Sequence, residues 1–179
     1  MFSVFILLNL IVSATSGQEA VNNFQTDNKE IIWVRVFADS AISFDKLIGR
    51  VKESGLLNNI DVTDNKITGD TKEFDTDFKS AGYSEMSTPM YIARSRINGF
   101  LIIEFKDKKY RVVLKKITLT QKYSDPLTMQ GGKTSLETFG LKRGKNEFTG
   151  VFKKSPSLIL NNTFSSKFEF KESKAKKDW

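Results

Sequence analysis

The chain has 179 residues, 39% hydrophobic and 27% charged, which are the proportions of a foldable globular protein and not of a disordered tail or a membrane bundle. It carries a formal net charge of +7 and contains neither cysteine nor histidine. Disulfides, thiol nucleophiles, imidazole bases, histidine triads and nearly every metal site built on nitrogen or sulfur ligands are thereby excluded, and most enzyme chemistry goes with them.

Met1 to Val12 reads MFSVFILLNLIV, and small residues follow from Ser13 to Gly17. This resembles a secretory signal peptide. The run is shorter than the roughly 18 apolar residues of a membrane span, and the polar Gln18-Glu19 follows it. Residues 1–17 are therefore expected to be removed on export to the periplasm or outside, leaving 162 of the 179 residues. No Lys or Arg precedes the apolar run, and no cysteine stands at the cleavage point to carry a lipid.

Residues 18–29 are polar, with Asn22-Asn23 among them, and read as a disordered lead-in. Ile31 to Ala38 (IIWVRVFA) is β-branched and aromatic, the composition of a strand buried on much of both faces. Ser43 then offers a helix start, Phe44, Leu47, Ile48 and Val51 recur at i, i+3, i+4 and i+7, and Gly55 offers a left-handed stop. Short strands are expected at Ile60 to Thr63 and Lys66 to Phe78, around an Asp64-Asn65 turn. Ala81 to Pro89 has loop composition. Met90 to Thr120 carries strand pattern in three pieces: Met90 to Arg96, a hairpin turn at Asn98-Gly99, Phe100 to Phe105, a turn at Lys106-Asp107-Lys108, then Tyr110 to Leu119.

Residues 121–133 hold Pro126 and Gly131-Gly132 and form a connector. In the extension at 134–172, Ser135 to Leu141 suits a short helix, and Asn146 to Lys154 places Phe148, Val151 and Phe152 on one helical face. Ser155-Pro156 suits a helix start ahead of Leu160, Phe164 and Phe168, although Phe168 and Phe170 also alternate as in a strand. Phe148, Phe152, Phe164 and Phe168 read as lids on a sheet in preference to a lipid pocket. Residues 173–179 are a charged tail.

Charge is polarised along the chain. Before Met90 there are 8 Lys+Arg against 13 Asp+Glu, net −5; from Met90 onward there are 20 against 8, net +12. On the expected strands Arg94 and Arg96 share one face, as do Arg111 and Lys115, by the two-residue period of side chains. These four are the candidate anion-binding residues of an open sheet face, set against the plain alternative of a solvated antiparallel sheet. Export disfavours nucleic acid as a partner and favours lipid headgroups, anionic glycans or another envelope protein.

Glu73, Asp75 and Asp77 alternate along EFDTDFK and would share a strand face, as an acid/base pair or a hard-cation site could require. No calcium loop surrounds them, so a solvated acidic edge is the simpler reading. The glycines at Gly69, Gly131-Gly132, Gly140 and Gly144 form no phosphate-binding pattern, and no Ser-x-x-Lys stands at a strand-to-helix elbow. Asn161-Asn162-Thr163 matches a glycosylation acceptor. No catalytic residue, metal site or cofactor is assigned.

IIWVRVFA with its helix SFDKLIGRVKES, the NKITGD strand, and above all FLIIEFKDKKYRVVLKKITL resemble a family of exported bacterial proteins carrying a domain of unknown function with a fold like that of the TATA-box-binding protein (TBP). The likeness covers Glu30 to Thr120, with Lys106 to Arg111 matching the family's hairpin tip; the stretch from SLETFGLKRGKNEF to KFEF resembles an extension some members carry. Where the family has a tight Asp-Gly turn, this chain has Asp107-Lys108. The resemblance brings no activity, and its likeness to a DNA-binding protein says nothing of DNA binding. The resulting expectation is an α+β, TBP-like domain at 30–120: an antiparallel sheet of about five strands, one face covered by helices, with Leu47, Ile48, Val51, Val112 and Leu114 buried. The expected function is that of a non-enzymatic binding or structural protein of the bacterial cell envelope, the alternative being a hydrolase that turns carboxylates such as Asp75 and Asp77 on a glycan.

Overall fold

Antiparallel pairing dominates because most strands are joined by turns too short for a crossover. The computed structural model describes residues 19–123 and 132–171. In chain order these form β1 (Ala20–Val21), β2 (Phe24–Asp27), β3 (Glu30–Ala38), α1 (Phe44–Ser54), β4 (Leu57–Thr63), β5 (Lys66–Thr71), β6 (Phe74–Asp75), α2 (Met90–Ala93), β7 (Ser95–Lys106), β8 (Lys109–Gln121), β9 (Lys133–Ser135), α3 (Glu137–Gly140) and α4 (Ser155–Phe168). One sheet runs in the order β1-β2-β3-β8-β7-β5-β4, with β6 added on β7 and β9 on β8. It therefore has nine strands where about five were expected. The segment 1–17, expected to be removed on export, and the tail 173–179 lie outside the described residues.

The four extra strands, β1, β2, β6 and β9, are short, and two come from the segment expected to be disordered. Asn22-Asn23 and Asn28-Lys29 each place two successive residues at positive φ (47° and 64°, 48° and 66°), the geometry of two-residue hairpins whose twist matches that of the strands. They fold β1 onto β2 and β2 onto β3, where Phe24 pairs with Trp33 and both are fully buried. The lead-in is thus ordered sheet, because a single Phe and the buried Thr26 give β2 an inward face that its polar composition hides.

β3 and α1 agree with the sequence reading. The Ser43 side chain accepts from the Lys46 amide at 3.3 Å, and Gly55 closes the helix at φ 62°, its N–H donating to the Lys52 carbonyl. Leu47 and Val51 are buried with Val112 and Leu114, while Ile48 is partly covered.

The Met90 to Arg96 strand and its Asn98-Gly99 turn are not formed. Met90 to Ala93 is helical, the Pro89 carbonyl accepting from the amides of Ile92 and Ala93. β7 then runs unbroken through Asn98-Gly99, where the register against β8 shifts between Asn98 and Phe100. The Gly99 amide donates to the Thr71 hydroxyl at 2.8 Å, and a Cβ at this position would sit 2.8 Å from the Lys115 carbonyl oxygen. Gly99 faces a β-bulge in β8, where Lys116 (φ 50°) and Ile117 oppose it, and its need for glycine is a close backbone approach and not a reversal of the chain. The reversal comes at Asp107-Lys108, both at positive φ (50° and 58°).

At the far edge of the sheet, β4 pairs with β5 through a register shift between Asn58 and Asp61, with Asn59 at φ 51°. Lys66 to Phe78 is not one strand: β5 ends at Thr71 and only Phe74–Asp75 rejoins the sheet as β6.

The connector is shorter than expected, since β8 reaches Gln121 and β9 begins at Lys133, while 124–131 lie outside the described residues. Asn146 to Lys154 makes turns and not a helix; Phe148 and Phe152 are buried, whereas Val151 is exposed. α4 is helical to Phe168, with proline in its first turn. Its Phe164 ring lies 5.9 Å from Phe24, 5.6 Å from Trp33 and 6.0 Å from Phe74, so residues from β2, β3, β6 and α4 share one aromatic core. Trp33 Nε1–H donates to the Asn161 amide oxygen at 3.0 Å. The Tyr110 hydroxyl accepts from the Phe170 amide at 2.9 Å and donates to the Phe168 carbonyl at 3.4 Å, fastening the end of α4 to β8.

Candidate functional site: the open face of the sheet

Two-residue alternation sorts the long strands into two faces. Trp33, Phe37, Leu101, Ile103, Tyr110, Val112 and Leu114 point into the core, with Arg35 on the same side reaching Ser165 of α4, and the residues that alternate with these face the other side. On that open face the register aligns Val36, Arg111, Glu104, Lys66 and Thr63 in one row across β3, β8, β7, β5 and β4. Val34, Val113, Ile102 and Thr68 form the next row, and Lys115 pairs with Phe100, itself paired with Asp70, in the row after. The middle of the open face is therefore an apolar band, and its charges collect where β7 turns into β8.

There Lys106 pairs with Lys109 across the Asp107-Lys108 turn, and the Phe105 amide donates to the Asn65 carbonyl of the neighbouring turn at 2.8 Å. The two turns and the first row enclose a concavity of about 620 Å³ lined by Val36, Lys66, Glu104, Lys106, Lys109 and Arg111, with Asn65, Phe105 and Asp107 at its rim. Arg111 is held by Glu104, Nε to Oε2 at 2.9 Å, in a pair about half exposed on both sides. Among the described residues Lys66, Lys106 and Lys109 have no ion-pair partner. Four cations thus surround a space that offers two carboxylates, of which one is already engaged.

The four residues singled out from the sequence do not form one patch. Arg111 belongs to this cluster. Lys115 lies partly buried in the middle of the face. Arg96 pairs across β6–β7 with Asp75, whose carboxylate meets the Lys122 ammonium at 2.8 Å. Eight residues of β7 separate the Arg96 row from the Glu104 row, roughly 26 Å at the rise of a strand. Arg94 is not on a strand at all: it caps α2, because the turn begun at Pro89 delays β7 to Ser95. Lys66, Lys106 and Lys109 were not identified from the sequence. Lys106 and Lys109 flank a two-residue turn, which alone makes them a cross-strand pair; the position of Lys66 beside them depends on the β5–β7 register, which no local pattern specifies.

The acidic residues have a different setting. Asp75 and Asp77 border a shallow concavity of about 490 Å³ with Thr163 and Lys167. The Ser80 amide donates to Asp77 at 3.0 Å, and hydrogen bonding from Ser80 holds the Asp77 carboxyl below the usual aspartate range. A general acid needs the opposite displacement. Among the described residues no group of three acidic side chains is placed to hold a metal ion. The Asn161 amide oxygen accepts from both Trp33 and Asn23, and Thr163 is buried, so the glycosylation motif is engaged in packing α4.

The chain is similar to two solved structures. One is a TBP-like protein from Parabacteroides distasonis, 13% identical, with a TM-score of 0.48 over 80% of this chain and 94% of that one. The other is a DUF4468 family protein from Bacteroides ovatus, 16% identical, with a TM-score of 0.46 over 79% of this chain and 84% of that one. No family model and no curated protein matches the chain. No helix among the described residues is long and apolar enough to cross a membrane.

Proposed function

We propose that the protein is an exported, non-enzymatic binding or structural protein of the bacterial cell envelope that contacts anionic polymers through the open face of its sheet. The observation that carries this reading is the concavity in which Lys66, Lys106 and Lys109 converge beside Arg111 with an incomplete set of counter-charges. Phosphate and carboxylate groups are the complementary ligands, met by charge-assisted hydrogen bonds. A single exposed ion pair contributes at most about 1 kcal/mol, so useful affinity requires a ligand that repeats its charge, which a polymer or a headgroup array does and a lone anion does not. Export rests on the apolar run of Met1 to Val12 and its small-residue boundary. The alternative, a glycan hydrolase acting through Asp75 and Asp77, has less support because Asp77 is held ionised.

The test is cosedimentation of the mature chain with phosphatidylglycerol vesicles and, separately, with insoluble polygalacturonate, which distinguishes phosphate from carboxylate. Binding is expected at low ionic strength and should weaken steeply by about 0.2 M salt, where the screening length drops below about 10 Å. The triple variant K66E/K106E/K109E should lose it, and R94E/R96E should keep it. Failure to bind either polyanion at low salt, or equal loss in both variants, would overturn the proposal.

A further inference from the structure

At the opposite end of β7 and β8 lies a second concavity of different chemistry. Its volume is about 480 Å³, within the range of small-molecule sites. Met90, Tyr91 and Arg94 of the α2 turn form one side, with Leu119, Gln121, Tyr123, Gly132 and Phe139 among the rest of its lining. The Tyr91 and Phe139 rings stack with centroids 4.3 Å apart and planes within 5°, giving a flat aromatic wall. Two polar groups here lack partners. The Tyr91 hydroxyl is buried without a hydrogen bond among the described residues. Arg94 is exposed, and among the described residues its guanidinium engages no carboxylate.

The Arg94 guanidinium thus stands beside an aromatic stack with no counter-ion among the described residues. We propose that this concavity binds a small planar aromatic carboxylate, its ring against the Tyr91–Phe139 pair and its carboxylate accepting from the Arg94 fork. Arginine suits a carboxylate because its planar donors match both oxygens. The site is independent of the basic cluster at the hairpin tip, which shares none of its lining residues.

The experiment is calorimetric titration of the mature chain with 2-naphthoate, beside the neutral 2-naphthylmethanol and the flexible decanoate. Saturable one-site binding of naphthoate is expected, with the alcohol at least about tenfold weaker, the worth of one charge-assisted contact. Arg94→Gln should reduce naphthoate to the level of the alcohol. K106Q/K109Q should bind as the wild type does. No binding of naphthoate at millimolar concentration, an unchanged Arg94→Gln variant, loss in K106Q/K109Q equal to that in Arg94→Gln, or decanoate bound as tightly as naphthoate would each overturn the proposal.

Discussion

The covered and open faces of the sheet are built from the same strands and differ in what meets them. On the covered face, rings from β2, β3 and β6 close around Phe164 and Phe168, and side chains of Arg50 and Tyr110 tie down the chain beyond α4. On the open face, neighbours within the sheet are the main contacts, and Val36 remains 56% exposed. Stability therefore resides on one side and the proposed polyanion contact on the other, so the second can be altered with little effect on the first.

The largest effect should come from Phe164→Ala, which removes the ring at the centre of the aromatic core and should cost about 3–5 kcal/mol in denaturant unfolding. A loss under about 1 kcal/mol would show that α4 is not integral to the covered face. Tyr110→Phe comes next: it leaves the buried Phe170 amide without an acceptor, for about 1–3 kcal/mol. Burial places the Tyr110 hydroxyl at about 12, so this contact should be insensitive to pH in the neutral range.

Acid should also act on the covered side. Asp39 is lowered by its hydrogen bond from Arg50, and Glu19 by those from Lys153 and the Phe148 amide. Because the folded values lie below the ordinary 3.8 and 4.5, the stabilisation is complete above about pH 5 and is lost as pH falls through the folded values. Melting temperature should be flat from pH 5 to 7 and decline below about pH 4.5, with a shallower decline in Asp39→Asn. Lys108→Gly should be slightly stabilising, by roughly 0.5 kcal/mol, since it relieves a left-handed lysine while loosening the unfolded chain. Smallest of all, Val36→Thr on the open face should stay within about 0.5 kcal/mol of wild type; a cost above 2 kcal/mol would mean that the open face contributes to the core.

What the sequence made legible followed how locally each element is specified. α1 carries its cap, apolar stripe and terminating glycine within thirteen residues, and it was readable to the residue. The N-terminal hairpins were not, because Phe24-Gln25-Thr26-Asp27 has an inward face only once β3 supplies it; Asn22-Asn23 and Asn28-Lys29 were the available signal. Asn98-Gly99 does not reverse the chain because Gly99 is required by the close approach of the Lys115 carbonyl beside a bulge in β8, a demand that only the partner strand reveals. The error carried into the site: placing Arg94 on a strand grouped it with Arg96 and Arg111, whereas the register gathers Arg111 with three lysines from two hairpin ends.

The irregular β4 has a consequence for assembly. A sheet margin with a straight, regularly spaced backbone invites another strand to dock on it and can seed open-ended growth. Here the outer margin is kinked at Asn59, exposed along most of its length and carries Asp61, so a newcomer would meet an interrupted row of amides and carbonyls beside a negative charge. A partner that engages this domain from that side must do so through side chains on a face, and the chain is protected there from templating its own polymerisation.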